Sequence, residues 1–274
     1  MDGLPRQADS DARQSGLLVI NADDWGRDRE TTERTLECIR RGAVSSVSAM
    51  VFMADSERAA ATAREHGIDA GLHLNFTTPF SATGAAARLI ERQQPVRRYL
   101  RRHRFAQVLF HPGLARSFDY VVNAQLQEFS RLYGAEPDRI DGHHHMHLCA
   151  NVLLQNLIPL GTLVRRNFSF QVGEKGIANR LYRRLVDRML QRQHKLMDFF
   201  FTLPPLEPPD RLQRIFSLAR QSAVEIETHP VDSGEYHFLT GGEIFRRTGD
   251  LPIARGFAVA RPRTPSQSAV LKRA

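Results

Sequence analysis

The sequence predicts an α/β fold, a distorted or incomplete (β/α) barrel of about seven parallel strands. Short apolar runs rich in branched residues alternate with amphipathic helical stretches along the chain. The chain has 274 residues, a usual length for a single barrel domain. Four polar clusters each follow an apolar run: Asn21-Ala22-Asp23-Asp24, Gly71-Leu72-His73-Leu74, Asp141-Gly142-His143-His144-His145-Met146-His147 and Glu225-Ile226-Glu227-Thr228-His229-Pro230. In a barrel the C-terminal ends of the strands converge on one face, so clusters far apart in sequence share one site. A doubly wound sheet is the alternative. Its ligands gather at one switch point, and four separate strand ends suit the barrel better.

The elements follow in order. Gly16 to Ile20 is a short branched run and predicts the first strand. Glu30 to Arg41 predicts a helix that Gly42 closes. Ser45 to Phe52 predicts a second strand, and Asp55 or Ser56 caps a helix to His66, ended by Gly67. Ile68 to Leu74 predicts the third strand. The stretch from about 78 to 118 then breaks the rhythm with Pro79, Pro95, Pro112 and the arginine-rich segment around Arg97 to Arg104. It reads as an insertion of lid or loop character. Tyr120 to Tyr133 resumes as a helix, with Val122, Leu126, Phe129 and Tyr133 on one face and Gly134 as its cap. Arg139 to Asp141, Gly161 to Val164, Leu196 to Thr202 and Ala223 to Glu227 predict later strands. Helices from Ile177 to His194 and from Pro209 to Gln221 lie between them. Residues 1–15 read as a flexible tail and residues 258–274 as a disordered basic tail, leaving one domain over 16–257.

Composition narrows the function classes. The net charge is +8, which invites anionic partners or simply marks a basic solvated surface. No zinc finger or aromatic-interleaved basic motif points to nucleic acid. No run of 18 apolar residues predicts a membrane span, and the polar N-terminus lacks a signal-peptide core, so a cytoplasmic location is expected. An anionic membrane surface and a homodimer stay open as partners. The two cysteines, Cys38 and Cys149, are too few for a disulfide framework. Cys149 reads as packing, with metal ligation the alternative.

None of the clusters places a nucleophilic Ser or Cys beside a base. They supply carboxylates and imidazoles, the ligands and proton carriers of a hydrolytic metal site. Adjacent Asp23 and Asp24 point apart on an extended backbone, but a turn at the strand end lets both reach a site in different roles. Such a pair alone also reads as a helix cap or turn. His73 alone also reads as a hydrogen-bonded core residue. His143, His145 and His147 alternate, so an extended backbone would set them on one face. Four histidines in five positions are hard to explain as packing.

These four motifs in this order resemble the YdjC-like carbohydrate deacetylases, also called the ChbG/HpnK family, over about Gly16 to Pro230. The resemblance implies a barrel similar to that of polysaccharide deacetylases with one divalent metal ion, Mg2+ or Zn2+. It implies Asp24, His73 and His143 as metal ligands, Asp23 as catalytic base and His229 as acid. His145, His147 and Glu225 match positions lining the site. The implied activity is hydrolysis of an N-acetyl group from an acetylated amino sugar, oligosaccharide or glycolipid. The chain departs from the family pattern in its arginine-rich middle segment and in Gly142, where Ser is more usual. Two other readings stand beside it: another metallohydrolase such as a phosphoesterase, and a non-catalytic basic binding protein.

Overall fold

The computed structural model describes residues 16–102, 105–169 and 176–257. Both predicted tails lie outside them. Among the described residues seven strands form one sheet: β1 (Leu17–Trp25), β2 (Ser46–Ala49), β3 (Ala70–Leu74), β4 (Arg139–Gly142), β5 (Leu163–Val164), β6 (Phe199–Thr202) and β7 (Ala223–Thr228). Every ladder is parallel, in the order β5-β4-β3-β2-β1-β7-β6. The first strand thus pairs with the last, and the seam lies between β5 and β6. No ladder closes that seam among the described residues. A single bridge from Leu163 to Lys195 and a 2.8 Å hydrogen bond from Ser169 N–H to the Phe200 carbonyl stitch it. The sheet is a curled, incomplete barrel, as expected.

Alternation along the strands sets its two faces. Leu18, Ile20 and Ala22 of β1, Val47 and Ala49 of β2, Leu72 and Leu74 of β3, and Val224 and Ile226 of β7 are fully buried beneath the helices. Each such Leu or Ile contributes about 1.5–3 kcal/mol when removed from water. The inner face begins with an apolar plug of Val19, Met197 and Phe257, packed by Leu17, Leu163 and Ala223. Above the plug the interior turns polar: Asn21 and Asp23, Ser46 and Ser48, His73, Arg139 and Asp141, Glu225 and Glu227 are all buried. Gly71 makes room there, because a Cβ at that position would lie 2.6 Å from the Arg139 guanidinium carbon.

The helices are α1 (Arg29–Arg40), α2 (Ser56–His66), α3 (Ala87–Arg102), α4 (Ala115–Tyr133), α5 (Ala150–Leu154), α6 (Ile177–Gln191), α7 (Asp210–Ala219), α8 (Ser233–Thr240) and α9 (Glu243–Thr248). The loop expected after β3 is largely α3, a 16-residue helix with Pro95 inside it. Leu89, Gln93, Val96 and Leu100 recur at helical spacing and are buried, with Val96 and Leu100 in the main core. That packing outweighs the proline, whose cost had argued for a loop. Asp55 precedes α2 but does not cap it; its carboxylate pairs with Arg58 instead. The short helices α5, α8 and α9 have too few turns to show a periodicity in sequence. Among the described residues no helix is long and apolar enough to cross a membrane.

Candidate active site

The polar clusters meet at the C-terminal end of the barrel. The register of β1 against β2 shifts between Ala22 and Trp25, and Asp24 adopts a left-handed backbone with φ 66°. One left-handed residue breaks the alternation, so Asp23 and Asp24 both face the interior. For a residue with a Cβ this costs on the order of 1–2 kcal/mol. The turn is held from behind. Gly26 has φ 84°, and its carbonyl accepts from the Asp55 N–H; a Cβ there would press on the Met50 carbonyl at 3.2 Å. The buried Trp25 donates its indole N–H to the Ala59 carbonyl.

Asp24 is the centre of a trio. Its Oδ1 lies 2.8 Å from His143 Nδ1 and 3.4 Å from His73 Nε2. Its Oδ2 accepts from Arg27 at 2.7 Å. Oδ1 is buried and has no directed hydrogen bond. The ligand atoms of Asp24, His73 and His143 lie within 4.8 Å of one another. Two imidazoles and a carboxylate facing one point are a donor set that suits a divalent metal. Burial pushes the Asp24 carboxyl up, but His143 and His73 outweigh it and hold it well below the usual range.

The ring orientations fit the same purpose. His73 Nδ1 lies 2.7 Å from Asp141 Oδ1, which assigns its proton to Nδ1 and turns Nε2 toward Asp24. His143 Nε2 contacts Thr78 Oγ1 at 3.1 Å, and its Nδ1 turns inward. The Asn75 side-chain oxygen fixes that threonine loop by accepting from the Thr77 and Thr78 N–H groups. A second trio, Asp23, His73 and Asp141, is equally close. Its carboxylates are already neutralised: Arg165 grips Asp23 through two 2.7 Å hydrogen bonds and also pairs with Asp141 at 2.9 Å. Arg27 takes only Oδ2 of Asp24 and leaves Oδ1 facing the two imidazoles, so the first trio is the better cation site.

Arg165 is the hub that the sequence reading missed. It follows β5 as the four clusters follow their strands, and that position was the available signal. Besides Asp23 and Asp141 it binds Glu225 at 2.7 Å and Glu227 at 3.3 Å. All five side chains are buried. Burial raises Asp23, but the charges of Arg165 and His73 lower it further, so it stays ionised. Burial raises Glu227 well above the usual range, and the neighbouring Asp23 charge adds to it. Glu225 is also raised, mainly by burial, against the pull of Arg165. The interior thus holds ionised aspartates beside glutamates that favour their protons. His73 is fully buried, which would lower it, yet Asp23 and Asp141 push it up to about 10.

The histidine run does not share one face as expected. It folds into a tight turn in which His144 and His145 take left-handed backbones at φ 54° and 58°. Those reversals break the extended geometry that alternation requires. His145 reaches toward Glu227, with Nε2 3.7 Å from Oε1, and packs edge-on against Phe168. His147 is fully buried and does not open onto the site. Its Nε2 lies 2.9 Å from the Arg165 carbonyl, so it supports the Arg165 backbone. Gly142 accommodates this, since a Cβ there would meet His147 N at 2.9 Å. Glu225 lies beneath the site, bonded to Arg165, and does not line its opening. His229 follows β7, half-buried, with its N–H bonded to Glu235. Its ring has no hydrogen bond to the aspartates among the described residues. Cys149 is buried at the start of α5, its thiol pushed up to about 12 by burial, and it joins neither trio.

His147 carries a stability prediction. Burial lowers it to about 4, from an ordinary value near 6.5. The unfolded chain therefore binds the extra proton between those values, and stability falls as pH drops through 6.5 toward 4. The loss is on the order of 3 kcal/mol. Denaturant midpoints measured from pH 7 to 4 should show this slope, to which His144 and His145, also lowered by burial, add, and His147→Gln should reduce it by the share of His147. An unchanged slope in the variant would show that other groups cause it.

Comparison with known proteins follows the same outline. The family model described as YdjC-like protein matches residues 17–245. The chain is 33% identical to a chitooligosaccharide deacetylase of Serratia marcescens over 136 residues, 48% of this chain and 51% of that protein. It thus spans about half the length of that relative. It is 27% identical to the chitooligosaccharide deacetylase of Yersinia pestis (strain Pestoides F) over 252 residues, 86% of this chain and 90% of that one. A solved structure from Enterococcus faecalis V583, described as a "putative cellobiose-phosphate cleavage protein", superposes with a TM-score of 0.61. It shares 18% identity and covers 90% of this chain and all of its own, a likeness of fold.

Proposed function

This chain belongs to the YdjC-like protein family, and from that premise we propose that it is a divalent-metal-dependent carbohydrate N-deacetylase. Its substrate on this reading is an acetylated amino sugar, oligosaccharide or glycolipid. The observation that carries the reading is the buried, unsatisfied Asp24 Oδ1 facing His73 and His143, with an ionised Asp23 alongside. Chitooligosaccharide deacetylases among the relatives support the same chemistry.

Asp24, His73 and His143 are the residues that would hold the metal. A bound Mg2+ or Zn2+ supplies a water of lowered pKa, from ~15.7 to as low as ~7, and polarises the amide carbonyl. The imidazole pair favours zinc, since magnesium prefers an oxygen shell. Asp23 takes the proton from the attacking water. Arg165 and Asn21 hold that carboxylate in place. The same contacts make it a weak base, so its contribution rests on position. His229, half-buried one residue past β7, gives a proton to the leaving amine. Asp141 keeps His73 in the tautomer that presents Nε2.

The test is acetate release from N-acetylglucosamine oligomers and acetylated glycolipids by the metal-loaded protein. Asp23→Asn should retain the metal and lower turnover by about 10²-fold or more, the scale of a lost general base. Asp24→Asn should lose metal first. Equal behaviour of the two variants would overturn the division of roles. Phosphate release without acetate release would replace this reading by the phosphoesterase.

A further inference from the structure

Helix α6 carries two kinds of side chain on its outer surface. Ile177, Leu181 and Leu185 recur every four residues and are 76%, 58% and 58% exposed. At 100° per residue they span an arc of about 80°, and Arg184 and Arg188 fall within or beside it. Both arginines are exposed. The opposite side of the helix holds Val186 and Leu190 in the core. The helix is also anchored: Asp187 accepts from Arg166 at 2.8 Å and from the Asn167 N–H at 3.0 Å. Those two residues directly follow the site hub Arg165, so α6 is tied to the rim of the site.

A second exposed apolar element flanks the same rim. Leu109 and Phe110 are exposed in the turn between α3 and α4. The turn is held rigidly. Tyr99 donates its hydroxyl to the Leu109 carbonyl, the His111 N–H donates to Asn151, and the Ala150 N–H donates to the Gln107 carbonyl. Both neighbourhoods border α5: the turn bonds its Ala150 and Asn151, and its Val152 and Leu153 line one cavity with Met189 and Leu190 of α6. The exposed Arg98, Arg101 and Arg102 end α3 beside this turn.

We propose that this rim, α6 with the Leu109–Phe110 turn, docks the protein on an anionic lipid bilayer and opens the site toward a membrane-borne substrate. The identity of that substrate rests on the deacetylase reading; the docking does not. Leucine and isoleucine interleaved with arginine are the make-up of an interfacial helix. Its apolar side chains enter the acyl boundary while the guanidinium groups reach the headgroups. A second copy of the chain fits the surface less well, because a two-fold contact through α6 would set Arg184 and Arg188 near their own copies. Nucleic acid has no use for a line of exposed aliphatic side chains.

The experiment is flotation of the full chain with vesicles of phosphatidylcholine alone or with about one-third phosphatidylglycerol. Binding to the anionic vesicles, falling as salt rises, is expected. Arg184→Gln with Arg188→Gln should lower the partition more than tenfold, at about fivefold for each basic residue. Leu181→Ser with Leu185→Ser should lower it as strongly and leave acetate release from a soluble acetylated oligosaccharide unchanged. No binding to anionic vesicles, or parental binding by both variants, would overturn the proposal. So would a dimer in solution that the Leu181→Ser, Leu185→Ser variant converts to monomer. Vesicle binding without acetate release from any substrate would support the docking surface and remove the deacetylase reading.

Discussion

His73→Ala is expected to abolish bound divalent metal and turnover together. His73 is 1% exposed, and its Nε2 and the Asp24 carboxylate face the same point. An alanine removes one of three donors and leaves Asp141 without the imidazole it orients. Loss of a donor from a three-residue set should cut metal affinity by well over the 10–100-fold seen for outer-shell partners. His143→Ala should behave alike. A second readout does not depend on activity. Asp23 and Asp141 push His73 up to about 10, so at pH 8 it carries a proton that a metal ion on Nε2 must displace. Metal titration of the parent should release about one proton per site, and affinity should rise with pH. His73→Ala should release none. Normal metal content in that variant would remove His73 from the ligand set, and the shared strand-end site with it.

Arg165→Met is expected to have the largest effect on stability. Its guanidinium pairs with Asp23, Asp141, Glu225 and Glu227, all buried. Removing it leaves buried carboxylates uncompensated, at a cost of about 3–5 kcal/mol. For a domain of this size that lowers the melting temperature by roughly 6–20 °C. The sign of the pH dependence follows. Burial raises Asp23 and Asp141, but the charges of Arg165 and His73 with their hydrogen bonds together outweigh it, and Arg165 is the largest of these, so both are lowered in the folded parent. Without that charge they favour their protons, so the deficit of the variant should shrink toward pH 5. Arg165→Lys keeps a charge and loses the two-pronged grip on Asp23, so it should retain more stability than activity. A melting temperature within about two degrees of the parent for Arg165→Met would show that the interior does not depend on the guanidinium.

Much of this was legible before any coordinates. Alternating apolar runs and helical stretches define β/α units, and strand polarity alone makes the C-terminal ends of parallel neighbours coincide. The four clusters were therefore identifiable as sharing one face, while the grouping of Asp24, His73 and His143 as metal ligands came from the resemblance to the YdjC-like family. The turn that lets Asp23 and Asp24 both face the interior was anticipated, and it takes the form of a left-handed residue at a register shift in β1.

Other features depended on contacts between distant segments. Arg165 is one arginine among the 38 basic residues of a chain with net charge +8, and sequence does not distinguish a buried guanidinium from a solvated one. Its role exists only because β1, β4 and β7 bring four carboxylates to it. The histidine run shows the same limit. Alternation predicted one shared face, but the left-handed turn sent His143 toward Asp24, His145 toward Glu227 and His147 toward the backbone of Arg165. Pro95 argued for a loop until the packing of Val96 and Leu100 made the segment a helix. Local sequence determined which residue types stand at the strand ends, since periodicity and turn chemistry act over a few positions. Tertiary structure decided which of them meet, which hold protons and which support the others, because those properties depend on burial and on charges contributed by other strands.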